Sequence, residues 1–380
     1  MRQNLTLIHR WVGLATAAPL AVIGITGSIL AFGHEIDAVL NPDLFRSAQT
    51  GRPLDLDRVA QRVATQSPGA EIYFLAPSRG QSSVMLRLIP ARGSPPLRFD
   101  QAFADPATGR VLGVRSWDSC GLSRAQLVPC VHRIHTSMLI PGATGILVVG
   151  GVALLWFIQQ IIGLPLTFPK GRRPWKRWGA SWRIDRRTAT TSFGLHRLSG
   201  LWTWPLLVVV AITGASISLE NELFKPLIAA FGTLTPTVAE SGRLSGSDSA
   251  VIGYDAALAQ AERFAKAQEA GSAAVPAGIS HNAEMGYYGV ALESNAQASG
   301  FGPSWYYVDD RNGALLVADT MAHGTIGDAV MHARLPLHGG RAFGMVGRLM
   351  IAVGGLVVAA LSVTGFMIWL RRNRRKSSGT

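Results

Sequence analysis

The sequence predicts a membrane α-helical protein: a four-transmembrane-helix bundle made of two parallel repeats, each carrying an α+β unit outside the membrane. Three observations predict it. First, four charge-free apolar runs, 11–33, 136–168, 198–219 and 349–370, each meet the roughly 20 residues that a helix needs to cross a bilayer. Second, the first run opens with Leu7-Ile8-His9-Arg10-Trp11-Val12-Gly13-Leu14, and the third opens with Gly194-Leu195-His196-Arg197-Leu198-Ser199-Gly200-Leu201. The register holds: Ile25-Thr26-Gly27 and Ile212-Thr213-Gly214 each end 18 residues after their histidine. Third, the two long connections both read as a helix, then strands, then an Asp-x-x-x-Gly turn between strands.

The elements follow in order. Segment 1–33 is the first membrane helix. It is too long for a signal peptide's apolar region and no small-residue cleavage site follows, so it is expected to stay as an anchor. Segment 34–131 is the first outer unit. Its helix spans 56–65, with Leu56, Val59, Ala60 and Val63 on one face. Strands at 72–75 and 84–89 follow, then the turn Asp105-Pro106-Ala107-Thr108-Gly109. Cys120 and Cys130 lie here; an oxidising compartment permits a disulfide, with a redox-active pair as the other reading.

The second membrane helix is placed in 132–168 and trimmed by Pro141 and Pro165. The cytoplasmic connection 169–195 carries Lys170, Arg172, Arg173, Lys176, Arg177, Arg183, Arg186 and Arg187 against one acid, Asp185. The third helix is 196–219. The second outer unit, 220–340, has a flexible Ser/Gly/Thr-rich stretch at 235–250, a helix at 254–267, a strand at 286–292 and the turn Asp309-Asp310-Arg311-Asn312-Gly313. The last segment, 341–380, is the fourth helix and a tail with Arg371, Arg372, Arg374, Arg375 and Lys376.

The cations set the topology. Lys and Arg gather on the cytoplasmic side of membrane helices, which puts both termini inside and both α+β units outside. The net charge of +13 is therefore a membrane-orientation signal, and no nucleic-acid partner is expected.

The chain has nine histidines. His9 and His196 sit at the inner membrane edge; His34, His132, His135, His332 and His338 gather at the outer edge. Imidazole is a good ligand for haem iron, and two axial imidazoles favour electron transfer over oxygen binding. Symmetry pairs His9 with His196 inside and His135 with His338 outside. His132 with His332 is a second matched outer pair. His34, whose counterpart is Asn221, is a further candidate and could instead serve the substrate. His9 and His34 are 25 residues apart, roughly 37 Å along one helix, so one ring cannot serve both edges and two b-type haems are expected.

Small residues give a flat ring room: Gly13, Gly27, Gly200 and Gly214 in helices one and three, Gly142, Gly145, Gly150 and Gly151 in helix two, Gly344, Gly347, Gly354 and Gly355 in helix four. Close helix packing is the other use of such glycines. Arg10 and Arg197 follow the inner ligands and can pair with haem carboxylates; Arg133, Arg341 and Arg348 are the outer candidates.

These residues carry a resemblance. The His-Arg helix starts, the Ile-Thr-Gly inside the helix, the outer Asp-x-x-x-Gly turns and the His338-Gly339…Gly344…Gly347-Arg348 start of the last helix resemble the PepSY-associated transmembrane family over almost the whole chain. Within it, the chain is most similar to the ferrisiderophore reductases of the Gram-negative inner membrane, the ferrioxamine type in particular. That resemblance implies two PepSY-like periplasmic units, two b-type haems, and electrons passed outward to reduce Fe(III) held by a siderophore.

The siderophore would dock outside, where Trp305, Tyr306, Tyr307, Tyr287 and Tyr288 could line a surface or simply fill strand cores. The sequence has no Gly-x-Gly-x-x-Gly fingerprint, so a membrane quinol or a separate cytoplasmic reductase is the expected donor. Trp175, Trp178 and Trp182 could receive that donor or anchor the loop in the interface. No Cys-x-x-Cys-His, His-Glu-x-x-His or Gly-x-Ser-x-Gly motif occurs, which removes covalent haem attachment by that motif and two protease classes. The alternative is a membrane-anchored periplasmic module that binds a peptide or protein without redox activity. A permease is disfavoured by the scarcity of charges within the helices.

Overall fold

The structure, a computed structural model, describes residues 2–47, 51–79, 82–169, 178–182, 191–238, 252–268, 274–294, 302–320 and 324–377. Most of the basic connection, Trp175 included, most of the Ser/Gly-rich stretch and His323 lie outside them. The chain runs through α1 (Arg2–Leu30), α2 (Gly33–Leu40), α3 (Pro42–Phe45) and α4 (Leu56–Gln66). Strands β1 (Ala70–Ala76), β2 (Val84–Pro90), β3 (Gln101–Ala104) and β4 (Val111–Arg115) follow, then α5 (Arg124–Ser137) and α6 (Gly142–Leu166). Beyond the basic connection come α7 (Ser192–Ser218), α8 (Lys225–Phe231) and α9 (Tyr254–Gln268). Strands β5 (Ala274–Asn282), β6 (Tyr287–Ser294), β7 (Ser304–Asp309) and β8 (Leu315–Asp319) precede α10 (Ile326–His338) and α11 (Gly344–Ser377). Two compact units result: Met1–Gly33, Val131–Leu227 and Arg334–Thr380 form one, His34–Cys130 and Ile228–Ala333 the other.

In the first unit, α1, α6, α7 and the segment Arg341–Arg374 are long and apolar enough to cross a membrane. Their neighbours form a ring, α1 to α6 to α7 to α11 and back to α1, so α1 and α7 are diagonal. Leu20, Leu207 and Val358 are buried at the centre with Trp156 and Leu361 against them. Val353, Leu356 and Ile25 stay exposed, as side chains that face lipid do. Thr191 caps α7 by accepting the Gly194 N–H at 3.0 Å.

One expectation is corrected here. Segment 132–168 is two helices. Met138 and Leu139 are left-handed (φ 51° and 61°) and Pro141 has no N–H to donate, so α5 stops and α6 starts afresh. His132 and His135 therefore precede the span on a helix of their own. Several of the glycines lie at close helix contacts. Gly24 and Gly355 bring α1 and α11 into backbone contact, and Ser28 donates to the Ala352 carbonyl at 2.7 Å beside them. Gly150 packs on Leu219, Gly354 on Leu206 and Gly200 on Leu361, the close-packing use of such glycines. Gly27 and Gly214 alone of the glycines named from sequence meet a histidine.

The second unit is one antiparallel sheet of eight strands in the order β4-β3-β2-β1-β5-β6-β7-β8. The sequence led us to expect two separate small cores; the structure has one. Strands β1 and β5 would each be an exposed edge, and they pair with each other at Phe74↔Ser280 and Leu75↔Ile279. Helices α4 and α9 supply the apolar side chains Val59, Val63, Ala257 and Ala261 to the same core as Leu75, Leu86, Ile279, Val290, Tyr306 and Val308.

The two helices also cap each other. Asp57 accepts the N–H groups of Tyr254 and Asp255, and Asp255 accepts those of Leu56 and Asp57. Burial of Asp57, with Asp255 beside it, pushes its carboxyl above the usual carboxylate range. The Asp-x-x-x-Gly turns form as read. Asp105 accepts from the Ala107 and Thr108 N–H groups and Asp309 from those of Arg311 and Asn312, each closing on a left-handed glycine, Gly109 and Gly313. Cys120 and Cys130 form a disulfide.

Candidate functional site

The first unit holds two facing pairs of imidazoles. His9 on α1 faces His196 on the diagonal helix α7, with ring centroids 6.4 Å apart and planes at 77°. His135, near the end of α5, faces His338, the last residue of α10, at 6.2 Å and 49°. The four side chains paired by symmetry are thus the four brought together.

Each ring is held by the wall of a neighbouring helix. His135 Nδ1 donates to the Ile23 carbonyl at 3.1 Å and to Thr26 Oγ1 at 3.1 Å. His338 Nδ1 does the same with the Val210 carbonyl and Thr213 Oγ1, both at 3.2 Å. His196 Nδ1 reaches the Leu361 carbonyl and Thr364 Oγ1, both at 3.1 Å. The three threonines spend their own O–H on a carbonyl four residues back, so each can only accept from the imidazole. A carbonyl also only accepts. Both partners therefore fix the Nδ1–H tautomer and leave Nε2 with its lone pair.

A glycine sits one residue after each threonine. An added Cβ at Gly27 would lie 2.9 Å from His135 Cε1, and at Gly214 2.9 Å from His338 Cε1. At Gly365 the gap to His196 Cε1 is 3.3 Å, and at Gly163 on α6 the gap to His9 Cε1 is 3.3 Å. The seat is thus a carbonyl, a hydroxyl three residues on and a bare Cα four residues on. His9 is the exception: Ile162 stands where the threonine would be, and His9 Nδ1 is buried without a hydrogen-bond partner among the described residues.

This arrangement fits one metal ion between the rings of each pair. The centroid separations of 6.4 Å and 6.2 Å match the roughly 6 Å that two imidazoles holding one metal ion between them would show. Among the described residues no three His, Cys, Asp or Glu side chains converge. The Nε atoms of Arg10 and Arg197, each adjacent to an inner histidine, are buried without a partner among the described residues and could take carboxylates.

Of the other histidines, His34 and His332 belong to the second unit and His132 stays beside His135. His332 is bonded to Asp319 at 2.6 Å, His34 sits edge-on to Phe45 in the outer unit, and His132 is about one helical turn before His135. Arg348 donates to the Ala31 carbonyl and lies over Phe32. Of the outer aromatics, Tyr306 and Tyr288 are buried in the core, whereas Trp305 and Tyr307 stack on each other. Trp178 and Trp182 form an aromatic chain from Phe168 to Trp202.

Sequence reading missed Thr364, Gly365 and Gly163. The signal was present: Val363-Thr364-Gly365 repeats the Ile-Thr-Gly triplet with Val for Ile, and Ile161-Ile162-Gly163 is a degenerate copy. Fold and site define a membrane protein with four candidate spans, facing histidine pairs and a separate sheet unit. The chain belongs to the PepSY-associated TM region family, whose family model matches residues 6–372. No curated protein matches it.

Proposed function

We propose that the chain is a di-haem b-type oxidoreductase of the bacterial inner membrane, with both termini cytoplasmic. It takes electrons from a quinol or a cytoplasmic reductase and delivers them to a ferric siderophore in the periplasm. The observation that carries the haem reading is the pair of imidazole pairs, 6.4 Å and 6.2 Å between centroids, with Nδ1 engaged on three of the four rings. His9 with His196 and His135 with His338 would each hold a haem, which would supply single-electron transfer.

The residues divide the work. His9 and His196 bind inside, His135 and His338 outside. Thr26, Thr213 and Thr364 orient their rings, and outer-shell bonds of this kind raise ligand basicity. Arg10 and Arg197 neutralise carboxylates at the inner site. His196 and Thr213, which mark the two sites on α7, are 17 residues apart, roughly 25 Å along the helix. That separation supports two stations rather than one. The substrate assignment rests on the family resemblance: one electron converts Fe(III) to Fe(II), which hard oxygen donors hold less tightly.

The experiment is a haem-to-protein ratio with oxidised and dithionite-reduced spectra of the detergent-purified protein. Two low-spin b-type haems, falling to one in His196→Ala, and reoxidation by a ferric siderophore are expected. Haem-free protein would refute this reading and leave a membrane-anchored binding module.

A further inference from the structure

Four imidazoles occupy equivalent seats, and one seat is built differently. At His135, His196 and His338 the Nδ1–H has two acceptors, a main-chain carbonyl and a threonine hydroxyl. The wall residues are Ile23/Thr26/Gly27, Leu361/Thr364/Gly365 and Val210/Thr213/Gly214. In the wall beside His9 the same three places are Gln159, Ile162 and Gly163.

Ile162 removes the hydroxyl. Gln159 adds a polar side chain where the other walls have Ile23, Leu361 and Val210, and it is 6% exposed, on a helix with a lipid-facing surface. Its Nε2 donates to the His9 carbonyl at 3.0 Å, which fastens α6 to α1 at the histidine itself. Its Oε1 is buried without a hydrogen-bond partner among the described residues, and so is His9 Nδ1. A buried acceptor and a buried donor left unmatched on the same clasp are both costly, and each supplies what the other lacks. A small change in the glutamine's last torsion, which is broad for this side chain, alters where Oε1 points.

We infer that Gln159 is the positioning residue of His9: its side-chain carbonyl is the acceptor for Nδ1–H in place of the carbonyl-plus-threonine pair used at the other three histidines. The inference rests on the reading of His9 as a haem ligand. An imidazole with one adjustable acceptor is a weaker donor to iron than one with two fixed acceptors. His9 is then the least donating of the four ligands. The inner haem is the one whose potential depends on residues 159 and 162.

The test is a spectroelectrochemical titration of the full-length haem protein, with low-spin electron paramagnetic resonance, on wild type, Gln159→Leu, Gln159→Glu and Ile162→Thr. The inner haem is the one lost in His196→Ala. Its midpoint is expected to rise in Gln159→Leu and to fall in Ile162→Thr, with its resonance signal shifted in both and the other haem unmoved. The isosteric Gln159→Glu keeps an acceptor and is expected to lower the inner midpoint; it also serves if Gln159→Leu does not fold. Unchanged inner midpoints in Ile162→Thr and Gln159→Glu, in a protein that holds both haems, would overturn the role of Gln159 and leave the ligand assignment standing. Wild type without haem would overturn both.

Discussion

At Gly27 and Gly214 an added Cβ would sit 2.9 Å from an imidazole carbon, whereas at Gly163 and Gly365 it would sit 3.3 Å away. Those few tenths of an ångström separate a ring that must leave its hydrogen bonds from one that yields slightly. On the proposed di-haem reading, Gly27→Ala or Gly214→Ala is therefore expected to cut haem binding at the His135–His338 pair about 10-fold or more, the usual scale for a disturbed outer-shell contact. Gly163→Ala and Gly365→Ala are expected to keep the inner haem. Haem content per protein measures all four. A second residue-scale outcome concerns Arg115. It is buried, ion-paired to Asp37 at 2.8 Å, bonded to Gln101 at 2.7 Å and stacked over Phe103 and Trp117. Asp37→Ala strands a buried cation and is expected to destabilise the outer unit by about 3–5 kcal/mol, read by thermal unfolding. Replacing both partners by apolar residues should restore most of that. The pair His9 and His196 was legible from the sequence because each lies 18 residues before the end of an Ile-Thr-Gly triplet; the spacing around His135 and His338 slips by one residue, and His34, His132 and His332 competed with them. The seats were legible only in part, since a main-chain carbonyl leaves no mark in a sequence and Gln159 differs from its counterparts Ile23, Val210 and Leu361, so no repeat points to it.

The helices α4 and α9 hold one another by their first turns. Asp57 and Asp255 each cap the other's helix, and burial keeps the Asp57 carboxyl above its ordinary range. An acid whose pKa is raised on folding binds more protons folded than unfolded. Its contribution is fully present below the unfolded value and is lost as pH rises through the folded one. Asp57→Asn removes that charge and keeps an acceptor for the Tyr254 N–H. The variant is expected to unfold at a higher temperature than wild type at pH 7, with the gap closing as the pH falls toward the ordinary aspartate range. A gap independent of pH would contradict this account. Most elements could be read from periodicity, but β5 could not. Pro276 and Gly278 interrupt its pattern, and the register shift between them shows that the strand accommodates them as a bulge. The break between α5 and α6 was hidden for another reason: Met138 and Leu139 are ordinary helix formers, and nothing in their chemistry announces a left-handed backbone.

Across the outer unit, the eight strands share one core. It should open as one body. Hydrogen exchange is expected to give the central amides of β1–β2 and of β5–β6 the same opening free energy, and two distinct values would mean two independent domains. Read from sequence, each connection looked self-sufficient, because hydrophobic alternation tells which face of a strand is buried but not which edge finds a partner.

The seat that holds three of the imidazoles occupies little more than one turn of helix: a carbonyl that every residue supplies, a threonine and a glycine. It asks nothing of the rest of its helix beyond being apolar and close. That makes it portable. Two substitutions write it onto a hydrophobic helix, and the chain itself offers the shortest demonstration, since on α6 the glycine is already present and Ile162→Thr alone supplies the missing hydroxyl. A membrane helix bearing this three-part notch is a ready-made rack for a histidine from across the bundle, and a designer need only bring the histidine.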